Sequence, residues 1–200
     1  METIDLLNIK KSYSYEDYKQ IVFKLADEGK NSGEQTEERI AATNINAQRI
    51  KRIDKQCELS EKLISKTTKL VSKYEWILIT ESWCGDGAQC IPVIAKIALL
   101  NTNIELKLIF RDENLAVMDL FLTNGSRSVP KLICIEKESG EVIGTWGPRP
   151  KAIQKMVIDY KKNFPEASHD EFVKNLHLWY ARDKTQALQN DFLEFMQDWK

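Results

Sequence analysis

The sequence predicts an α/β fold: a mixed central sheet flanked by helices, with further helices at each end. Three observations predict it. Short runs rich in β-branched and aromatic residues fall between Trp76 and Trp146. Segments with apolar residues three and four apart separate and flank them. The connection between the first two runs is long enough for a crossover helix, whereas Ser139-Gly140 joins the last two as a tight turn. The chain has 200 residues, 42% of them hydrophobic and 30% charged, enough for one real core with helical additions.

Each element has a local reason. Ser14 precedes a helix in which Tyr15, Tyr18, Ile21, Val22 and Leu25 recur at helical spacing, and Gly29 stops it. After the polar loop 30–35, a long helical stretch runs from Thr36 to Lys73, with a break near 58–60. Trp76 to Thr80 reads as a buried strand. The turn Cys84-Gly85-Asp86-Gly87 leads into a helix from Ala88 to Leu100. Ile104 to Phe110 is the second strand, Leu115 to Thr123 a helix stopped by Asn124-Gly125, Lys131 to Ile135 the third strand and Glu141 to Trp146 the fourth. Pro150 opens a helix that Pro165 ends, and helices at 170–180 and 185–199 close the chain. The expected organisation is an N-terminal helical extension over 1–73, a sheet domain over 74–165 and a helical tail over 166–200.

Composition narrows the partners. The formal net charge of −1 carries no signature of nucleic-acid or membrane binding. The longest apolar stretch, Cys90 to Ala95, meets Lys96 at once and cannot span a bilayer. The acidic start Met1-Glu2-Thr3-Ile4-Asp5 has no apolar region behind it, so no secretory leader is expected and the expected compartment is the cytoplasm. Thiols stay reduced there, so Cys57, Cys84, Cys90 and Cys134 are not a disulfide framework by default. His169 and His177 have no metal-ligand spacing and no CxxC is present, so neither a metal nor another cofactor is expected.

Trp83-Cys84-Gly85 lies between a strand and a helix, Pro92 follows within that helix, and Ser126-Arg127-Ser128-Val129-Pro130 enters the third strand. In this order the residues resemble thioredoxin, over roughly Tyr74 to Asn163. The whole chain is similar to a bacterial thioredoxin-like family that carries Trp-Cys-Gly-Asp and helical extensions; Asn46 to Arg52, Arg111 to Asn114 and Trp179-Tyr180 are the matching features. The resemblance implies a thioredoxin-like fold, a cis Val129–Pro130 bond facing Cys84, and thiol–disulfide oxidoreductase chemistry in cell redox homeostasis. Two departures stand out: Gly87 occupies the place of the second cysteine, and Leu78 that of the buried acid.

Cys84 is the expected catalytic thiol. A helix N-terminus stabilises a thiolate and Asp86 opposes it; the expectation is that the helix end and partial exposure prevail. Cys90, six residues on, would lie about 10 Å away along a regular helix, beyond the roughly 7 Å that a disulfide spans. Either it is a core residue, or it resolves Cys84 when the glycine-weakened first turn opens. Cys57 and Cys134 read as small core hydrophobes. The substrate groove is expected from Trp83, Gly85, Asp86, Gly87, Val129, Pro130, Trp146 and Gly147. Arg111 and Arg127 are candidate anion-binding residues, and Arg49, Arg52 and Lys55 a possible basic wall that admits small anionic substrates.

Two functions follow. One is a single-thiol oxidoreductase acting through Cys84 on a protein disulfide or a low-molecular-weight thiol such as glutathione. The other is a thioredoxin-fold binding or adaptor module without turnover, suggested by Leu78, Asp86 and Gly87. The apolar residues of the tail dock on the domain or form a homodimer contact.

Overall fold

The computed structural model describes residues 9–164, 166 and 168–200. At its centre is β1 (Tyr74–Thr80). A strand apolar at nearly every position needs cover on both faces, and alternation gives each face its own core. Trp76 and Leu78 enter one cluster and Ile77 and Ile79 the other, all four fully buried. β2 (Ile104–Phe110) pairs with β1 in parallel. β3 (Lys131–Glu136) lies antiparallel on its other side, and β4 (Val142–Trp146) continues antiparallel to β3. The order β2-β1-β3-β4 makes the expected mixed sheet.

The larger core is helical on its outer side. α1 (Tyr15–Asp27), α2 (Glu37–Gln56) and α3 (Glu61–Thr68) precede the sheet, and α4 (Gly85–Leu99) is the crossover between β1 and β2. Ile50 and Ile53 of α2 meet Ile91, Ile94 and Ile97 of α4 against Trp76 and Leu78. Side chains of this size each contribute about 2 kcal/mol when fully buried. The other face is covered by α5 (Leu115–Asp119), through Val117 and Met118. α6 (Lys151–Asn163), α7 (His169–Asp183) and α8 (Gln186–Phe195) follow the sheet.

Serine and threonine caps set the helix starts. The Ser14, Thr36 and Ser60 hydroxyls accept the backbone N–H three residues on. Ser60 is why the long helical stretch breaks where expected. Several boundaries differ from the sequence reading: α3 ends at Thr68 rather than Lys73 and α8 at Phe195 rather than Trp199, and two further differences have a local cause. α4 begins at Gly85 rather than Ala88, because Cys84 caps it. α5 ends at Asp119 rather than Thr123, because Asn124 and Gly125 take positive φ and close a Thr123–Ser126 bridge. Pro165, expected to end α6, lies outside the described residues.

The tail docks on the domain. Phe192 of α8 packs on Trp76 and Trp146, with ring centroids 5.6 and 5.7 Å apart. Asp191 accepts both the Trp146 indole N–H and the Lys151 backbone N–H at 3.0 Å. The Tyr74 hydroxyl donates to the Lys200 carbonyl at 2.7 Å. Among the described residues no helix is long and apolar enough to cross a membrane.

Candidate functional site

Cys84 sits where β1 has ended and α4 begins. As N-cap its φ of −75° and ψ of 110° are extended, which turns the sulfur back over the first helical turn. The Gly87 N–H donates to Sγ at 3.2 Å, and the thiol donates to the Val129 carbonyl at 3.2 Å. The Val129–Pro130 bond is cis, as is Gly147–Pro148, which no sequence signal had singled out.

The surroundings of the thiol disfavour its thiolate form. Cys84 is only 7% exposed. Burial, then the Asp86 charge, pushes its pKa up to about 12, against the opposing Gly87 N–H and Arg149 guanidinium. The expectation that the helix end would prevail is therefore corrected: it rested on partial exposure, and the extensions remove that exposure.

Asp86 is the hub beside the sulfur. Arg149 donates to it through Nε at 2.9 Å and also through Nη2, and the Tyr180 hydroxyl donates at 2.7 Å. Tyr180 Oη in turn lies 3.8 Å from Cys90 Sγ. Cys90 belongs to the larger core, with Trp76, whereas Cys84 belongs to the smaller one. All four cysteines are free.

A second polar cluster fixes the Trp83–Cys84 loop to the N-terminal extension. Glu81 is fully buried; Ser32 Oγ donates to it, and so does the Asp112 N–H, at 2.8 Å. Burial raises its pKa, and those two donors hold the rise back. Ser32 and Ser82 exchange backbone N–H bonds to each other's hydroxyl at 2.9 Å, and Asn46 Nδ2 donates to the Ser82 carbonyl at 2.9 Å. Trp83 is then clamped between guanidinium groups, Arg39 at 4.7 Å and Arg111 at 4.9 Å from its ring.

Above Cys84, α2 and α7 form a roof over a cavity of about 590 Å³. Ala42, Ile45 and Arg49 line it from α2, and Phe172, Leu176 and His177 from α7. A Cβ on Gly85 would stand 2.8 Å from His177 Nε2 and 3.3 Å from Arg49 Nη1, so both groups rest on the residue next to Cys84. Burial, then Arg49 and Arg52, lowers the His177 pKa to about 4, so its ring is neutral. Arg49 is itself held below the usual arginine range by burial and by Arg52. The side chain of His169 lies outside the described residues.

The structure brings most of the expected groove together. Trp83, Cys84, Gly85, Asp86 and Val129 line the cavity, with Arg111 and Arg127 at its edge. Arg111 is paired with Asp112 at 2.8 Å and Arg127 with Asp119 at 2.6 Å. Pro130 and Gly87 are buried behind the lining. Trp146, expected on the rim, is instead under α8, because its indole is drawn to Asp191. Gly147 is also set back: a Cβ there would stand 2.2 Å from the Pro130 carbonyl, and its φ of +117° requires glycine. Of the expected basic wall, Arg49 lines the cavity, whereas Arg52 faces a separate 330 Å³ pocket. Glu81 and Arg149 were not singled out, and His177 was weighed only as a metal ligand. Asn46 and Tyr180 lay inside segments that carry the family resemblance, which was the only signal for them, whereas Arg49 was also read as part of the basic wall.

Among curated proteins, none is similar enough in sequence to match. Two solved structures share the fold over 92% of this chain and 98% of their own. One is a protein of unknown function from Pseudomonas aeruginosa, with a TM-score of 0.57 and 16% identity. The other is an HIV epitope scaffold, with a TM-score of 0.54 and 17% identity. The model of a family described as Thioredoxin matches residues 33–161, more than half of the chain, including Cys84, α2 and the Val129–Pro130 loop but not the α7 side of the cavity, and the chain belongs to that family.

Proposed function

We propose that the protein binds one small molecule in the cavity over Cys84, as a thioredoxin-fold binding module without redox turnover. The observation that carries this reading is the state of Cys84. Its thiol is buried, lies 3.2 Å from the Val129 carbonyl that it donates to, is pushed up to a pKa of about 12, and borders a cavity of about 590 Å³. That volume fits a small ligand, and α2 and α7 both line it. No second cysteine takes part: Gly87 carries no thiol, and Cys90 is buried in the other core.

A second reading, single-thiol exchange, is favoured by one observation: the sulfur accepts the Gly87 N–H at a helix N-cap, the geometry that stabilises a thiolate. In that reaction Cys84 loses its proton and its sulfur attacks one sulfur of a small disulfide. The old S–S bond breaks, and the departing thiolate takes up a proton. An external thiol then reduces the mixed disulfide.

Reduced glutathione and glutathione disulfide serve as probes for both. Binding is expected to shift the Trp83 indole N–H resonance saturably, with no gain in intact mass at neutral pH. Ala42→Trp, which fills the cavity, should abolish the shift. Absence of any shift rejects the binding reading. A glutathione adduct that forms on the native protein and is missing in Cys84→Ser replaces it with exchange.

A further inference from the structure

Four arginines line the cavity: Arg49, Arg111, Arg127 and Arg149. Three are already neutralised. Arg149 is held by Asp86, Arg111 by Asp112, and Arg127 by both oxygens of Asp119. Arg49 is the exception. Its Nη1 donates to the neutral Asn46 Oδ1 at 2.8 Å, and among the described residues no carboxylate lies within ion-pair distance of it. Glu38 is the other acid on the lining besides Asp86, but it stands eleven residues earlier on α2, about 16 Å along the axis. A half-buried guanidinium with no ion-pair partner of its own is costly; Arg52 and a neutral imidazole lie beside it, and the one acid whose charge reaches it, Asp86, is already bonded to Arg149 and Tyr180. Its Nη1 lies against Gly85, at the positive end of the fifteen-residue helix α4.

We infer that Arg49 is a carboxylate anchor, and that the ligand of the Cys84 cavity is a small carboxylic acid whose charged end pairs with Arg49. The guanidinium fork matches a carboxylate. The apolar wall of Ala42, Ile45, Phe172 and Leu176 then takes the rest of the molecule. This inference rests on the small-molecule reading of the cavity. It fixes the chemical class of the ligand whether or not the sulfur reacts.

The test uses Cys84→Ser protein, which excludes covalent reaction, and calorimetry with two probes. One is 3,3′-dithiodipropionate, a dicarboxylate; the other is 2-hydroxyethyl disulfide, which has no charge. The dicarboxylate should bind more tightly, and Arg49→Met should weaken it by about tenfold, the worth of one charge-assisted hydrogen bond. Arg49→Lys should keep most of the affinity, and binding should weaken with added salt. Should Arg49→Met fail to fold, Arg49→Gln reads the same loss. Equal affinity for the two probes, or dicarboxylate binding unchanged by loss of the charge, overturns the anchor and leaves the small-molecule reading standing. Binding of neither probe overturns both.

Discussion

His177 stands where a side chain on Gly85 would be: a Cβ at residue 85 would lie 2.8 Å from its ring. The roof over the cavity is thus seated on the first residue of α4. Glycine to alanine normally stabilises a helix position. Gly85→Ala is expected to do the opposite here, at a cost of about 1 kcal/mol, because the ring must swing away and take α7 with it. Chemical denaturation gives the sign, and the His177 imidazole resonances report the displacement.

The His177 pKa of about 4 sets a pH dependence. Between pH 4 and the ordinary value of 6.5 the unfolded chain binds a proton that the folded chain refuses. Its contribution to stability is complete above 6.5 and falls as pH drops through that window. His177→Asn should flatten this part of the profile. Urea titrations of both proteins across the window check it; parallel curves would show that His177 is not the group responsible.

Asp86 holds the Cys84 thiol up while it satisfies Arg149 and Tyr180. Asp86→Asn should therefore separate two effects. Stability should fall by about 3 kcal/mol, because a buried guanidinium loses its counter-charge. The thiol pKa should move down from about 12, seen as ultraviolet thiolate absorbance appearing at lower pH.

Gly87 occupies the position of a second cysteine, yet the slot is closed. A Cβ there would stand 2.9 Å from Thr80 Oγ1 and 3.3 Å from Ile91 Cδ1. Gly87→Cys should cost about 2 kcal/mol. Adding Thr80→Ala should return about 1 kcal/mol of that, a coupling read from a double-mutant cycle.

The cysteines should not react in the order the motif suggests. Cys57 is half-exposed at the end of α2, its Sγ 3.6 Å from Thr185 Oγ1, whereas the other three are buried. Brief alkylation of the native protein should label Cys57 ahead of Cys84, with Cys90 and Cys134 labelled only on unfolding. Peptide mass mapping decides it.

What could be read in the sequence was what local chemistry dictates. The apolar run at β1, the Ser60 break and the Ser139-Gly140 turn between the last two strands follow from patterning, capping and turn chemistry within a few residues. The cover of the site follows from contacts that no local pattern encodes. Arg149 reaches Asp86 across 63 residues, Gln89 meets His177 across 88, and Tyr180 meets Asp86 across 94. Asp86 reads as a groove residue and Tyr180 as part of a family feature, but nothing local pairs them, and Gln89, Arg149 and His177 alone read as ordinary helix or loop positions. Their convergence decides that Cys84 is buried, and with it the charge state of the thiol.

Asp191 has a consequence for where the molecule can be cut. α6 begins behind Pro150, which has no side-chain acceptor to offer, and its first N–H is met instead by a carboxylate from α8. The same oxygen anchors the Trp146 indole of the last strand. A chain truncated after α6 would keep every strand of the sheet and still lose a helix cap, an indole partner and the aromatic lid over Trp76. The last helix is therefore part of the minimal cooperative unit, and a fragment carrying only the family-matched segment is expected to be unstable unless α8 is supplied to it as a separate peptide.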